Sequence, residues 1–419
     1  MSKPARTALF LGALVGSAAL APPARADVTN RGFLPFGERA AMLGNAGLCS
    51  PTGEAVYYNP ANLTRLDHAS LSVSGSTYLR YDISAQPLLV LKNTDQPFSA
   101  SGFVAIPSTV TSTYQAGDWW LATAILVPEA LDFKNRVTFE APDLHITILQ
   151  QHTAESLWLG GSVARRITPQ LSIGLSLFAA REKEANLSFT HTEATEGVQE
   201  VTTNEDVAVY NASAVLGVYW SPMPELGVGL RVQSPTVQLA GASDLYQSAL
   251  FAGEMDQHQE LVVNGAKASR PLPTDLSLGV SIRPRPGIEL VADAGLQLPA
   301  TFTNLDDPIA GVRTQHVQLA PRVGIGADLE VGHHKWIRLG GLYNRSATPT
   351  PASEADESSD NYLGVTAGFS IQKDRVVTSV GAFGLQSNTK VFVIGADPAR
   401  LSDARVRLYG ALLAFSYRL

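Results

Sequence analysis

From residue 69 onward, apolar and polar residues alternate at period two in short runs punctuated by proline, glycine and asparagine. Between Ala69 and Ile83, Leu71, Val73, Leu79, Tyr81 and Ile83 share one parity, while Ser72, Ser74, Ser76, Arg80 and Asp82 share the other. That pattern predicts a strand with one oily and one wet side. The run Leu171 to Leu177 does the same, with Leu171, Ile173, Leu175 and Leu177 set against Ser172, Gly174 and Ser176. So does the last run, with Tyr409, Ala411, Leu413, Phe415, Tyr417 and Leu419 on one side. Trp119 to Val127, Trp158 to Ile167 and Ala212 to Trp220 are bounded by aromatics, which favour the membrane–water boundary.

The connections fall into two kinds. Short turns are expected at 115–118, 168–170, 221–224, 284–287, 331–334 and 372–374, where proline, glycine or charged residues interrupt the alternation. Between them lie long polar stretches, near Asn93 and at 129–151, 191–205, 240–259, 304–311, 348–360 and 388–403, which predict loops. Short turns at one end of the strands and long loops at the other are the signature of a bacterial outer-membrane barrel. One strand before the first long loop, two per short turn and a last one from Ala404 to Leu419 make fourteen. The expected fold is all-β: a 14-stranded antiparallel transmembrane β-barrel, with both chain ends on the short-turn, periplasmic side.

Gly32 to Asp67 reads differently. Ala40, Ala41, Gly44, Ala46 and Gly47 crowd its first half and Asn59-Pro60-Ala61 punctuates its second. A compact small-residue segment ahead of amphipathic strands predicts an N-terminal plug inside the barrel. Residues 1–26 combine Lys3 and Arg6, an apolar run from Ala8 to Ala21, and Ala24-Arg25-Ala26, which together predict a secretory signal peptide. The expected organisation is signal peptide 1–26, hatch 27–68 and barrel 69–419. Cleavage after Ala26 removes three bases and no acid, taking the net charge from −7 to −10. Such a chain has no basic face for nucleic acid. A mean hydropathy of +0.05, with no later run of 18 apolar residues, excludes helical spans but suits a barrel wall, where lipid-facing and lumen-facing residues average out.

Candidate reaction chemistry is thin. No G-x-S-x-G, H-E-x-x-H or phosphate-cradling glycine loop occurs, and no catalytic residue, metal site or cofactor is expected. Cys49 stands alone, so there is no disulfide framework. His333-His334 falls in a turn, Arg165-Arg166 and Arg181 to Glu184 near strand ends or on the lumen face, and Glu354 to Asp360 in an acidic external loop.

Gly37 to Gly47 (GERAAMLGNAG), followed by Tyr57 to Leu63 (YYNPANL), resembles the FadL/TodX type of outer-membrane transporter for long-chain fatty acids and other hydrophobic compounds. Trp220-Ser221-Pro222, Gln233-Ser234-Pro235, Leu272-Pro273 and Ile337 to Tyr343 extend the likeness over most of the chain. The resemblance implies that Asn59, Pro60, Ala61, Gly37, Arg39, Gly44 and Gly47 form the hatch motif. It also implies a ligand-binding pocket in the bore and a gap toward the bilayer where the third strand kinks. Val127 and Pro128 are the candidates for that kink, since proline brings no N–H to a ladder; alternatively Pro128 simply ends the strand. Phe33, Leu34 and Phe36 either pack the plug or contact ligand. The implied partners are a hydrophobic small molecule, outer-membrane lipid and lipopolysaccharide, and the barrel-assembly machinery, whose recognition signal the last strand resembles except that Leu419 replaces the usual phenylalanine. The family is typically monomeric. A general porin and a barrel accessory to protein secretion stay open as alternatives to uptake of hydrophobic molecules.

Overall fold

The computed structural model describes residues 32–91, 94–141, 143–195, 197–253, 256–307, 311–350, 359–393 and 400–419. The expected signal peptide, the first residues of the expected hatch and most of the acidic stretch 354–360 lie outside them.

The described residues form one closed antiparallel barrel of fourteen strands. The first six are β1 (Ser70–Leu91), β2 (Thr94–Ala116), β3 (Trp119–Ala141), β4 (Leu144–Thr168), β5 (Leu171–Ala194) and β6 (Gly197–Met223). The next four are each broken into two pieces. They are β7 (Leu226–Gln233, Val237–Gly253), β8 (Gln257–Lys267, Asp275–Arg285), β9 (Ile288–Gln297, Ala300–Asp307) and β10 (Gly311–Val317, Ala320–Gly332). The last four are β11 (Lys335–Asn344), β12 (Tyr362–Lys373), β13 (Val376–Phe392) and β14 (Leu401–Arg418). β14 pairs with β1 from Ser70–Arg418 to Gln86–Asp403 and closes the wall. Closure leaves no free edge, which hydrocarbon would not tolerate. All six expected short turns join consecutive strands.

Parity behaves as a lipid-facing wall requires. On β5, Ile173, Leu175 and Leu177 point outward, while Ser172 and Ser176 are buried toward the bore. Trp119 and Trp220 stand outward beside the short turns, the interfacial level where amphipathic rings settle.

Three expectations need correction. Leu71 and Val73 face outward but Leu79 and Tyr81 are buried inside, because an extra residue between Ser76 and Tyr78 shifts the register against β14. A bulge of one residue exchanges the two faces. Next, most of the polar stretches expected as loops are ladder: β3 and β4 pair from Glu129–Ser156 to Ala141–Leu144, and β5 and β6 as far as Ala194–Gly197. Strands β1 to β6 run 22 to 27 residues, although about 9–11 suffice to cross a bilayer. Beyond the membrane the outer face no longer has to be apolar, but the backbone groups still pair. Finally, Trp158 belongs to no outer girdle: it lies inside, 2% exposed.

Candidate functional site: the plug and the cavity beside it

Residues 32–66 fold into the bore as two single-turn helices, α1 (Arg39–Met42) and α2 (Ala55–Tyr58), and a 3₁₀ turn, Pro60–Arg65. Helices this short do not persist alone in water, so their order comes from the wall around them. Ala40, Ala41, Met42, Leu43, Ala55, Val56, Ala61 and Leu63 have no accessible surface. Glu54 ties the two helices together, its carboxylate accepting the backbone N–H groups of Glu38 and Ala40 at the start of α1. Those are donors a helix leaves unpaired. Burial raises the Glu54 carboxyl, and burial together with Glu54 pushes Glu38 up to about 7.

Each expected hatch residue has a definite place. Asn59 caps the 3₁₀ turn: its Oδ1 accepts the Ala61 N–H at 3.2 Å, and its Nδ2 donates to Leu48 O at 2.9 Å and to Val218 O of β6 at 3.0 Å. Pro60 occupies the first turn position, where a missing N–H costs nothing. Arg39 is the strongest tie. Its Nε lies 2.8 Å from Asp328 of β10, its Nη2 2.6 Å from Glu289 of β9, and its Nη1 donates to Ser50 at 3.1 Å. Gly44 is left-handed (φ +66°) and lies so close to the wall that a Cβ there would strike Gly341 backbone; its N–H donates to Thr366 of β12 at 3.0 Å. The wall is cut to match: a Cβ on Gly340 would meet the Gly44 nitrogen, and one on Gly217 would meet Asn59 and Pro60, all inside 3 Å. Gly37 is also left-handed, facing Glu54, and Gly47 lies flat against the Tyr58 ring.

Further ties run right round the bore. Thr64 bonds Ser172 of β5 at 2.7 Å, Arg231 of β7 donates to Tyr57 O at 3.1 Å, and Leu48 N donates to Asp293 of β9 at 2.8 Å. Ser176 of β5 donates to Val56 O at 2.7 Å.

A cavity of about 100 Å³ remains between plug and wall. Leu34, Phe36, Tyr57 and Tyr58 face it from the plug, and Trp158 and Leu272 from the wall. Phe33 instead stacks on Tyr362, centroids 4.5 Å apart. One side of the cavity carries a polar cluster: Asp275 is bonded by Arg231 at 2.7 Å and by Arg322, with Gln233 and Ser277 completing the set. Sequence reasoning missed this cluster and Trp158. The signal was present, since Arg231 and Gln233 share the parity of Gly227 and Gly229, opposite Leu226, Val228, Leu230 and Val232.

Pro128 and Glu129 also line the cavity. Pro128 does not end the third strand as one reading had it, because β3 continues to Ala141. Between Leu126 and Glu129 the β3–β4 register shifts. Among the described residues, the β2–β3 ladder stops at Thr109–Leu126, although β2 stays paired with β1 up to Leu91–Thr94. Above Leu126 the β2–β3 wall is therefore unzipped beside the cavity.

No protein-family model matches the sequence, and no curated protein does. Solved structures do. The Pseudomonas putida toluene transporter TodX matches with a TM-score of 0.63 at 11% identity, over 92% of this chain and 99% of its own. A Pseudomonas aeruginosa FadL homologue matches with 0.60 at 14% identity, over 93% and 98%, and the CymD monoaromatic hydrocarbon channel with 0.59 at 14%, over 93% and 99%. The chain has the FadL/TodX-type fold. Within that fold, the plug occupies the bore and the unzipped seam falls on the third strand.

Proposed function

We propose that the protein takes up hydrophobic small molecules through the bacterial outer membrane and releases them sideways into the bilayer. The observation that carries this reading is a cavity flanked by aromatic plug residues on one side and by the β2–β3 seam at Pro128 on the other. A packed plug leaves no water-filled bore for hydrophilic solutes, which argues against a general porin. An apolar molecule gains about 0.8 kcal/mol for each CH₂ withdrawn from water, so an apolar pocket opening toward lipid lets it travel without full rehydration. The size of the cavity supports a compact ligand. An apolar void of about 150 Å³ holds benzene, so a single aromatic ring is the right scale for the closed state. The neighbouring folds include a toluene transporter and a monoaromatic hydrocarbon channel, which agrees with that scale. The hatch role of Asn59, Pro60, Ala61, Gly37, Arg39, Gly44 and Gly47, and the kink role of Val127 and Pro128, belong to this proposal.

The test is uptake of labelled toluene and of a labelled long-chain fatty acid in a strain with and without the gene. Faster entry of toluene with the protein present supports the reading; equal uptake of both compounds in the two strains overturns it. Removing residues 27–67 should let small hydrophilic solutes leak through the barrel.

A further inference from the structure

We propose that the same cavity has a second lateral mouth, between β8 and β9, at the outer edge of the apolar belt, through which a small uncharged apolar molecule enters. The proposal rests on the functional reading above and adds a route that it does not contain.

Three prolines bracket the place. β8 is broken at 268–274, which holds Pro271 and Pro273, and β9 is broken at 298–299, which holds Pro299. None of the three can donate an N–H to a ladder. Among the described residues, the β8–β9 wall above its regular lower ladder is held by the Leu298 N–H to Thr274 O bond at 2.9 Å and by the pair Asp306–Lys267. Between these two points about 20 Å of pairing is missing, at 3.3 Å per residue.

The two lips lean apart. The β8 lip turns into the bore: Ala268 packs with Val207 and Val209 of β6, Arg270 pairs with Glu184 of β5, and Leu272 joins the Trp158 core on the far side of those strands. Its backbone bonds go to β7, with Thr236 N donating to Leu272 O at 3.0 Å and Leu272 N to Thr236 Oγ1 at 2.7 Å. The β9 lip leans the other way, Ala300 and Phe302 packing with Val317 and Ala320 of β10 and with Ala347. Leu272, Pro273 and Gln297 at the foot of the seam line the cavity, so the gap leads into it.

Its height fits entry from the membrane. The lower ladder of β9 has 10 residues, which at a strand tilt of about 40° rises roughly 25 Å, the height of the apolar band. On the adjoining β7, Val237 and Leu239 are 66% and 64% exposed, a greasy collar at that level. The β2–β3 seam lies six strands away around a wall of fourteen, nearly opposite. The cavity thus lies between two breaks in the wall, one fit for arrival and the other for departure.

The experiment uses the full-length barrel in lipid nanodiscs with a phenyl diazirine dissolved in the bilayer as the photoprobe. Labelled residues are mapped after illumination, with outward-facing Leu278 as the internal reference for bilayer exposure. Labelling of Leu272 and Pro273 is expected, together with Tyr57 and Trp158, and Leu298→Trp should reduce that of Leu272 and Pro273, at the foot of the seam, several-fold while leaving Leu278 unchanged. Labelled Tyr57 and Trp158 with unlabelled Leu272 and Pro273 would overturn the second mouth and leave the cavity reading standing. No labelling of any cavity residue would overturn both. Labelling of Leu272 that ignores Leu298→Trp, in a variant with the wild-type heat-modified gel shift, also counts against it.

Discussion

Replacing Arg39 by alanine isolates what holds the plug in the wall. The guanidinium is 6% exposed and bonded to Glu289 and Asp328, carboxylates on two different strands. Losing one member of a buried ion pair costs about 3–5 kcal/mol, because the remaining charge is left desolvated. Here the lower end applies. Asp328 keeps Arg338 at 3.2 Å and Glu289 keeps Arg283 at 3.0 Å, so neither carboxylate is stranded. About 3 kcal/mol corresponds to roughly a hundredfold rise in the unseated population, at 1.4 kcal/mol per tenfold. The protein supplies its own reporter: Cys49 is the only cysteine, it is buried in the plug, and burial pushes its thiol up to about 12. Its alkylation by a maleimide therefore tracks plug opening. Arg39→Ala should speed alkylation about a hundredfold under conditions where reclosing outpaces modification, and should raise leak of hydrophilic solutes in parallel. An alkylation rate in Arg39→Ala equal to wild type would refute the reasoning, since the anchor would then be contributing nothing.

Three further outcomes are expected. Because Glu38 is raised from 4.5 to about 7, its contribution to plug seating is fully present below pH 4.5 and lost as pH climbs through 7, a span of about 3 kcal/mol. Cys49 protection, corrected for thiolate content, should therefore fall between pH 5 and pH 8, and Glu38→Gln should flatten that dependence. Gly340→Val places a side chain against the Gly44 backbone and should unseat the plug, read as increased single-channel conductance in planar bilayers; a closed, wild-type trace would contradict the fit. Pro128→Ala returns an N–H to β3 at the unzipped seam and should slow uptake of an apolar ligand while lowering hydrogen exchange at residues 127–129.

The barrel was largely legible because its information is local. Each short turn carries proline, glycine or a charged pair that stops a ladder, and each membrane-crossing strand must alternate to face lipid. Features that depend on counting across the wall were not. Leu79 and Tyr81 share a parity with Leu71 and Val73, yet one unpaired residue between Ser76 and Tyr78 puts them on opposite faces, and nothing in the residue types there announces it. Trp158 reads as a girdle tryptophan because it opens an aromatic-bounded run, yet it shares the parity of Ser162 and Ala164 and lies inside beside Phe178. The polar stretches read as loops because periodicity reports burial, and outside the bilayer a ladder continues without it. The plug was legible as a small-residue segment, but its partners, Asp328 and Glu289 among them, lie some 250 to 290 positions away.

At some points hatch and wall meet with no room for another carbon, the Gly44 backbone against Gly340 and Gly341, and Asn59-Pro60 against Gly217. Contact of that kind cannot be retuned by swapping side chains, since any added carbon lands on an amide. Two barrels of this architecture would therefore not exchange their hatches freely, even if the hatch sequences looked alike. Grafting one onto another would require moving the facing wall glycines as a set, and engineering of ligand choice is better aimed at the cavity rim around Leu34, Trp158 and Leu272, where side chains do the touching.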